Sequence, residues 1–118
     1  MKVNIKCSGI EHTPSLDDYV KHKIAHLDKL LKSNHEILVQ AELGRTTEHH
    51  HKGDIFRAEF NLSIGGELFR AEAQTSDLYA AIDLAQAELT REVKTWKSRR
   101  ESMFRRGARA LKKLILRR

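Results

Sequence analysis

The stretch that carries most of the fold information is FRAEFNLSIGGELFRAEAQT, residues 56–75, in which two alternating runs flank a pair of glycines. Apolar side chains at every second position from Phe56 to Ile64 predict a strand with one buried face. Gly65-Gly66 can adopt the positive φ angles that a two-residue hairpin turn needs. The returning run, Leu68 to Thr75, alternates as well, so the stretch predicts an antiparallel hairpin.

Two further strands are predicted upstream of this hairpin. Residues 2–8 alternate, with Val3, Ile5 and Cys7 on the apolar side. Residues 36–43 alternate in the same way and predict a second strand, which is followed by a polar loop over residues 44–53.

Two helices complete the pattern. Thr13 is a predicted N-cap with Pro14 at the first helical position, and Ser33-Asn34 is predicted to close this first helix. Ser76 is predicted to cap the second helix, whose packing against the sheet should end near residue 99. The apolar stripes that recur at helical spacing are Leu16, Val20, Ile24, Leu27 and Leu31 in the first helix and Leu78, Ile82, Ala85, Leu89, Val93 and Trp96 in the second.

The order β-α-β-β-β-α predicts an α+β fold in which both helices cover one face of a four-stranded sheet. The first β-α-β unit should be a crossover, and the last three strands a meander. The length of 118 residues fits one packed core. We therefore expect an α+β domain at residues 1–98 and a basic C-terminal extension at residues 99–118.

The charge is concentrated in that extension. The chain carries a net charge of +6, but residues 99–118 hold nine bases and one acid, which leaves residues 1–98 at −2. Phe104, Ala108, Leu111 and Ile115 form an apolar stripe among these bases, interrupted by Gly107. Such a basic amphipathic segment is expected to be disordered or frayed alone and to order on a partner, and the charge favours nucleic acid.

Few residues suggest a catalytic or metal-binding site. His49-His50-His51 could bind a metal, but three adjacent histidines do not converge easily on one ion, so a solvated loop is the preferred interpretation. Cys7 lies on the apolar side of its strand and is predicted to be a core residue. The sequence lacks an evident set of nucleophile, base and orienting group, so we expect neither catalysis nor a cofactor. With one cysteine and no signal peptide or membrane-spanning run, a cytoplasmic protein is expected.

Basic side chains recur at helical spacing on both helices. Lys23, His26 and Lys29 lie on one flank of the first helix, and a second set, Arg91, Lys94 and Lys97, lies on the second helix. If the helices lie side by side, these flanks should border the groove between them. A solvated helix surface is the alternative interpretation.

Two motifs resemble one known family. The sequence IEHTPSL at residues 10–16 and DLYAAID at residues 77–83 are similar to signatures of bacterial ribosome hibernation-promoting factors and ribosome-associated translation inhibitors. The resemblance covers about residues 1–100. It implies a fold similar in outline to a double-stranded-RNA-binding domain, a partner in the small ribosomal subunit with its rRNA, and a block of translation by occlusion of tRNA and mRNA sites.

The resemblance also implies site residues. Lys23 and Lys29 match basic positions of the family's first helix, and Arg91, Lys97 and Arg99 match those of its second helix. Glu88 and His26 depart from the pattern, because the family carries lysine at the first position and often at the second. The predicted RNA-binding set is completed by Lys94 and by three bases of the extension, so that it comprises Lys23, His26, Lys29, Arg91, Lys94, Lys97, Arg99, Arg100, Arg105 and Arg106.

A regulatory module that binds a transcription factor remains the alternative function. Long members of the family add a C-terminal dimerisation domain, for which this chain is too short. We therefore expect a protein that is monomeric off the ribosome. We also expect it to bind neither a membrane nor a small-molecule substrate.

Overall fold

A computed structural model describes residues 1–32, 35–46 and 53–116. The elements follow the predicted order β-α-β-β-β-α. Their bounds are β1 (Lys2–Ser8), α1 (Pro14–Leu31), β2 (Ile37–Thr46), β3 (Ile55–Ile64), β4 (Glu67–Thr75) and α2 (Leu78–Leu116).

The four strands form one sheet in the order β1-β2-β3-β4. β1 runs parallel to β2, and α1 makes the crossover between them, whereas β2, β3 and β4 pair in antiparallel fashion. The register aligns the apolar positions into rows, one of which contains Val3, Val39, Leu62 and Phe69. The predicted α+β class, crossover and meander are confirmed.

The core lies between this sheet face and the two helices. All five apolar residues predicted for the α1 stripe are buried. The buried residues of α2 begin at Ala81 and end at Val93, while Leu78 and Trp96 pack against the core from its margin. No described residue of α2 beyond Val93 is buried, so the helix leaves the body close to the predicted point.

The helix ends differ in part from the prediction. Thr13 caps α1 as expected, since its Oγ1 accepts a hydrogen bond from the Leu16 amide at 3.2 Å. α1 ends at Leu31, with Lys32 as its C-cap at φ 40°, directly before the Ser33-Asn34 pair that was predicted to close it. Residues 33–34 themselves lie outside the described part of the chain.

The cap of α2 is Asp77, and the prediction of Ser76 was wrong. The Asp77 carboxylate accepts a hydrogen bond from the Ala80 amide at 3.0 Å, and its carbonyl accepts one from Ala81 at 3.0 Å. Serine and aspartate both favour this position, and the sequence pattern does not distinguish adjacent candidates.

The hairpin at Gly65-Gly66 is confirmed. Both residues have positive φ, at 51° and 86°, as a type I′ turn requires. The preceding connection is shorter than expected, because β2 continues past Leu43 to Thr46, which pairs with Ile55. The predicted loop over residues 44–53 therefore overlaps the strand, and its histidines, His49 to His51, lie outside the described residues.

The basic extension is helical as far as it is described. α2 runs without a break for 39 residues to Leu116, and Gly107 lies inside it. The expectation of a disordered or frayed segment is thus wrong for residues 99–116. A helical glycine costs about 1 kcal/mol relative to alanine, and the arginines, alanines, lysines and leucines around Gly107 are strong helix formers.

None of the helices within the described ranges is both long enough and apolar enough to cross a membrane.

Candidate nucleic-acid interface on the helices

The two helices lie side by side and are joined by a polar cluster near their N-terminal halves. Tyr19 of α1 donates a hydrogen bond of 2.5 Å to the Asp83 carboxylate of α2. The Lys23 ammonium lies 3.2 Å from the same carboxylate and 5.6 Å from the centre of the Tyr19 ring. Tyr79 packs edge-on against Tyr19, with ring centres 4.8 Å apart. The cluster therefore ties α1 to α2 and uses Lys23 to do so.

The same cluster changes the acidity of Tyr19. The hydrogen bond to Asp83 raises the pKa of the Tyr19 phenol to about 12, and burial and nearby negative charge add to this shift. The phenol thus stays protonated and keeps donating to Asp83 throughout the neutral range.

A second link joins the middle of the helices. Nε2 of His26 lies 3.1 Å from the Thr90 hydroxyl and 3.2 Å from the Gln86 amide nitrogen. Gln86 also donates to Thr90 at 2.9 Å. His26 therefore faces α2. Both of its contacts with α2 are made by Nε2.

A third link closes the far end of α1. The Lys97 ammonium of α2 donates a hydrogen bond of 2.7 Å to the backbone carbonyl of Leu30. Carbonyls in the last turn of a helix have no partner within the helix, so Lys97 satisfies a group that α1 cannot satisfy itself. Lys23, His26 and Lys97 thus border the groove between the helices, as predicted, and all three are engaged across it.

The remaining bases of the helices spread over several faces. Lys29 and Lys94 are exposed and form no ion pair with a described residue, whereas Arg91 is paired with Glu88 at 2.9 Å. Arg91 and Arg99 line a cavity of about 400 Å³ on the β4 side of α2, together with Phe69 and Trp96. The prediction that Arg91 borders the groove was wrong.

The geometry of the helix explains that error. Three residues advance about 300° around an α-helix, so each step of three falls about 60° short of a full turn. Arg91 and Lys97 are two such steps apart and point about 120° away from each other. One flank cannot hold both.

Beyond the body, the bases follow the exposed helix. The Arg100 guanidinium lies 5.3 Å from the centre of the Trp96 ring, which is one turn earlier on α2. Arg105 lies with Arg100 on the wall of a larger cavity, and Arg106 is exposed.

The outer face of the sheet holds a charge network that the alternation pattern did not predict. Glu59 was expected to face solvent, yet it is only 6% exposed because Arg57 and Arg70 cover it. Glu72 lies directly opposite Glu59 in the register, and Arg57 lies between the two acids, 2.9 Å from Glu59 and 2.7 Å from Glu72. The hydrogen bond from Arg57 lowers the pKa of Glu72 to about 2. The sign of this network is the strand register, which places two acidic side chains opposite each other. The alternation of polar and apolar residues does not show which polar residues face each other across the strands.

The remaining candidates are Cys7 and the histidines at 49–51. Cys7 packs half-buried against the core, as predicted, and burial raises the pKa of its thiol, with a smaller effect from Asp17. Within residues 1–32, 35–46 and 53–116, His, Cys, Asp and Glu side chains form no cluster of three or more that could hold a metal ion. The histidines at 49–51 are outside these ranges, so their metal binding stays untested.

The fold and its basic helices match a known class of protein. A family model described as "Sigma 54 modulation protein / S30EA ribosomal protein" matches residues 3–101. The chain belongs to this family, which confirms the resemblance drawn from IEHTPSL and DLYAAID.

Individual relatives agree with that membership. The chain is 31% identical over 112 residues to the ribosome hibernation promoting factor of Pseudomonas putida, covering 92% of this chain and 98% of that protein. It is 30% identical over 99 residues to the ribosome hibernation promotion factor of Lactococcus lactis, covering 84% of this chain. The chain spans about half the length of that relative and of its Bacillus subtilis counterpart.

Solved structures share the fold. The crystal structure of the Thermus thermophilus Protein Y N-terminal domain superposes with a TM-score of 0.68 at 31% identity, over 81% of this chain and 99% of that one. A ribosomal subunit interface protein from Coxiella burnetii has a TM-score of 0.67 at 16% identity, over 83% of this chain and 99% of that one, and shares the fold alone.

Proposed function

We propose that this chain is a ribosome hibernation factor of the cytoplasm. It binds the small ribosomal subunit through rRNA contacts and blocks translation by covering tRNA and mRNA sites, and it makes or breaks no bond. The observation that carries the proposal is the arrangement of exposed bases on the paired helices and along the part of α2 that extends past the body. The names of the relatives support it.

The basic side chains of the proposed RNA-binding set have two different roles. Lys23, His26 and Lys97 hold the helices side by side through Asp83, Thr90 and Leu30, and so act as positioning residues for the RNA surface. A fixed spacing between the helices lets a protein dock on folded RNA by shape, while phosphate contacts set its register.

Direct contacts with RNA phosphates are assigned to the basic side chains that face solvent. Lys29, Lys94 and Arg99 have no ion-pair partner among the described residues, so binding RNA breaks no internal contact of theirs. Arg91 releases Glu88 or shares its charge with a phosphate. The extension then continues along the RNA with Arg100, Arg105 and Arg106.

Co-sedimentation with purified small ribosomal subunits tests this proposal, with an in vitro translation assay alongside. We expect saturation near one protein per subunit, with inhibition at matching concentrations. If about six phosphates are contacted, affinity should fall on the order of a thousandfold between 50 and 200 mM salt. Failure to bind at low salt would rule the proposal out.

A pair of charge reversals locates the surface. Lys94→Glu with Arg99→Glu reverses two exposed bases of α2, and Lys2→Glu with Lys6→Glu makes the same change in net charge on β1. Only the first variant should lose subunit binding. Equal losses would mean that net charge, and not the helix surface, directs binding.

The alternative function is a regulatory module that binds a transcription factor. The family description includes sigma 54 modulation, and residues 1–98 carry a net charge of −2. A complex with a protein that survives high salt, together with no binding to subunits, would favour this alternative.

A further inference from the structure

A large cavity lies where α2 leaves the body. Its volume is about 590 Å³, within the roughly 300–1,000 Å³ of small-ligand sites. The end of α1 and the β3–β4 turn supply an apolar floor through Leu31 and Ile64, and α2 supplies one wall from Trp96 to Arg105. The cavity exists because α2 continues as a helix past the sheet.

Two aromatic rings of that wall have different surroundings. Trp96 is anchored to the body by an edge-on contact with Phe69, with ring centres 5.5 Å apart, and the Arg100 guanidinium covers its other side. Phe104, two turns further along α2, is 79% exposed although it lines the cavity. Phe104 thus offers a flat apolar surface that the described protein does not cover.

The rim of the cavity is strongly positive. Lys32, Lys97, Arg100 and Arg105 line it, against a single acid, Glu101. Lys97 is engaged with the Leu30 carbonyl, which leaves the two arginines and Lys32 as the charges best able to meet an anion. Arginine binds phosphate oxygens through its planar fork of N–H donors and stacks on flat rings.

We propose that this cavity receives one unpaired nucleotide of single-stranded RNA, whose base stacks on Phe104 and whose phosphate is held by Arg100 and Arg105. A base inside a duplex has no free face, so only an unpaired one can stack on a side chain. Stacking on an aromatic ring next to basic groups is the usual means by which proteins hold single strands. The inference rests on the proposed function in taking RNA as the partner.

The single tryptophan of the chain reports on the site. Trp96 lines the cavity, so its fluorescence should change when the cavity fills. We would titrate the full chain with a uridine hexaribonucleotide, and separately with an abasic oligomer of the same length and charge. The hexaribonucleotide should give a saturable change, and the abasic oligomer should bind at least about tenfold more weakly, because it lacks the stacking contribution.

Phe104→Ala removes the stacking surface and is matched by Met103→Ala. Both side chains are exposed, Met103 at 70%, but Met103 does not line the cavity. Phe104→Ala should weaken hexaribonucleotide binding roughly ten- to hundredfold, and Met103→Ala should leave it unchanged. Far-ultraviolet circular dichroism should give the same helix content for both variants.

The outcomes separate this inference from the proposed function. If the hexaribonucleotide and the abasic oligomer bind equally, or Phe104→Ala binds like the parent chain, the cavity does not hold a base, even if the chain binds small subunits. A cavity that a protein segment occupies would give that result. If Phe104→Ala loses the hexaribonucleotide while the parent chain fails to bind subunits, the cavity assignment stands and the ribosomal function falls.

Discussion

The Lys97 ammonium lies 2.7 Å from the backbone carbonyl of Leu30 and donates a hydrogen bond that closes the last turn of α1 from the neighbouring helix. A residue that the family resemblance marks as RNA-binding therefore also stabilises the packing of the two helices. Loss of this lysine affects folding as well as any contact with RNA, and the two effects need separate measurements.

Lys97→Met should lower the free energy of unfolding by about 1.5 kcal/mol, because it removes a charged donor and leaves the Leu30 carbonyl without this partner. Urea unfolding followed by circular dichroism measures the change. Lys94→Met is the matched control, since Lys94 is exposed and has no ion-pair partner in the described chain. Equal stability of the two variants would show that the hydrogen bond contributes nothing to folding.

Asp77→Ala should destabilise the protein by about 1 kcal/mol, because Asp77 accepts a hydrogen bond from the Ala80 amide at the start of α2. The negative charge of Asp77 at this end also interacts favourably with the helix dipole. Thermal unfolding would detect the change. Ser76→Ala is the control, and a larger loss for Ser76→Ala than for Asp77→Ala would restore Ser76 as the cap.

Stability should fall at acid pH in a way that depends on Glu72. The pKa of Glu72 in the folded protein is lowered from 4.5 to about 2 by Arg57, so its contribution is present above about pH 4.5 and is lost as the pH falls toward 2. Urea midpoints measured between pH 2 and 7 should therefore decline less steeply for Glu72→Gln than for the parent chain.

Glu67→Gln is the control for this acid dependence, because Glu67 lies at the exposed start of β4 and has no ion pair in the described chain. Its profile should follow that of the parent chain. A parallel decline in Glu72→Gln would place the acid sensitivity elsewhere.

Removal of residues 100–118 should leave the body folded, because the buried residues of the described α2 end at Val93. We expect the free energy of unfolding to change by about 0.5 kcal/mol or less, as for other exposed positions. Binding to small subunits should weaken, and the slope of log affinity against log salt should become shallower, since eight bases are lost. An unchanged slope would mean that the extension makes no phosphate contact.

Much of the fold was predictable because the local periodicity of apolar residues indicates the type and the buried face of each element. Alternation identified all four strands, the Gly65-Gly66 pair identified the hairpin, and helical spacing identified the buried stripe of α1. The boundaries were less accurate, as the extension of β2 to Thr46 and the cap at Asp77 demonstrate. Boundaries depend on individual hydrogen bonds, either between strands or within the first turn of a helix, and periodicity does not report them.

The candidate site was predictable only as a set of residue types. The sequence and its family resemblance indicated Lys23, His26 and Lys97, but not that each of them contacts the opposite helix. Arg91 was assigned to the wrong flank, because each step of three residues falls about 60° short of a full helical turn and Arg91 and Lys97 therefore cannot share one face.

Local sequence alone was thus enough for the order of elements, the apolar faces and the concentration of positive charge after residue 98, since each depends on neighbours within a few positions. Three features arose only when distant segments packed together: the burial of Glu59 beneath Arg57 and Arg70, the closure of α1 by Lys97, and the cavity beside Phe104. The physical reason is that each joins groups on different strands or helices, whose separation is set by sheet register and helix packing and not by the chain around them.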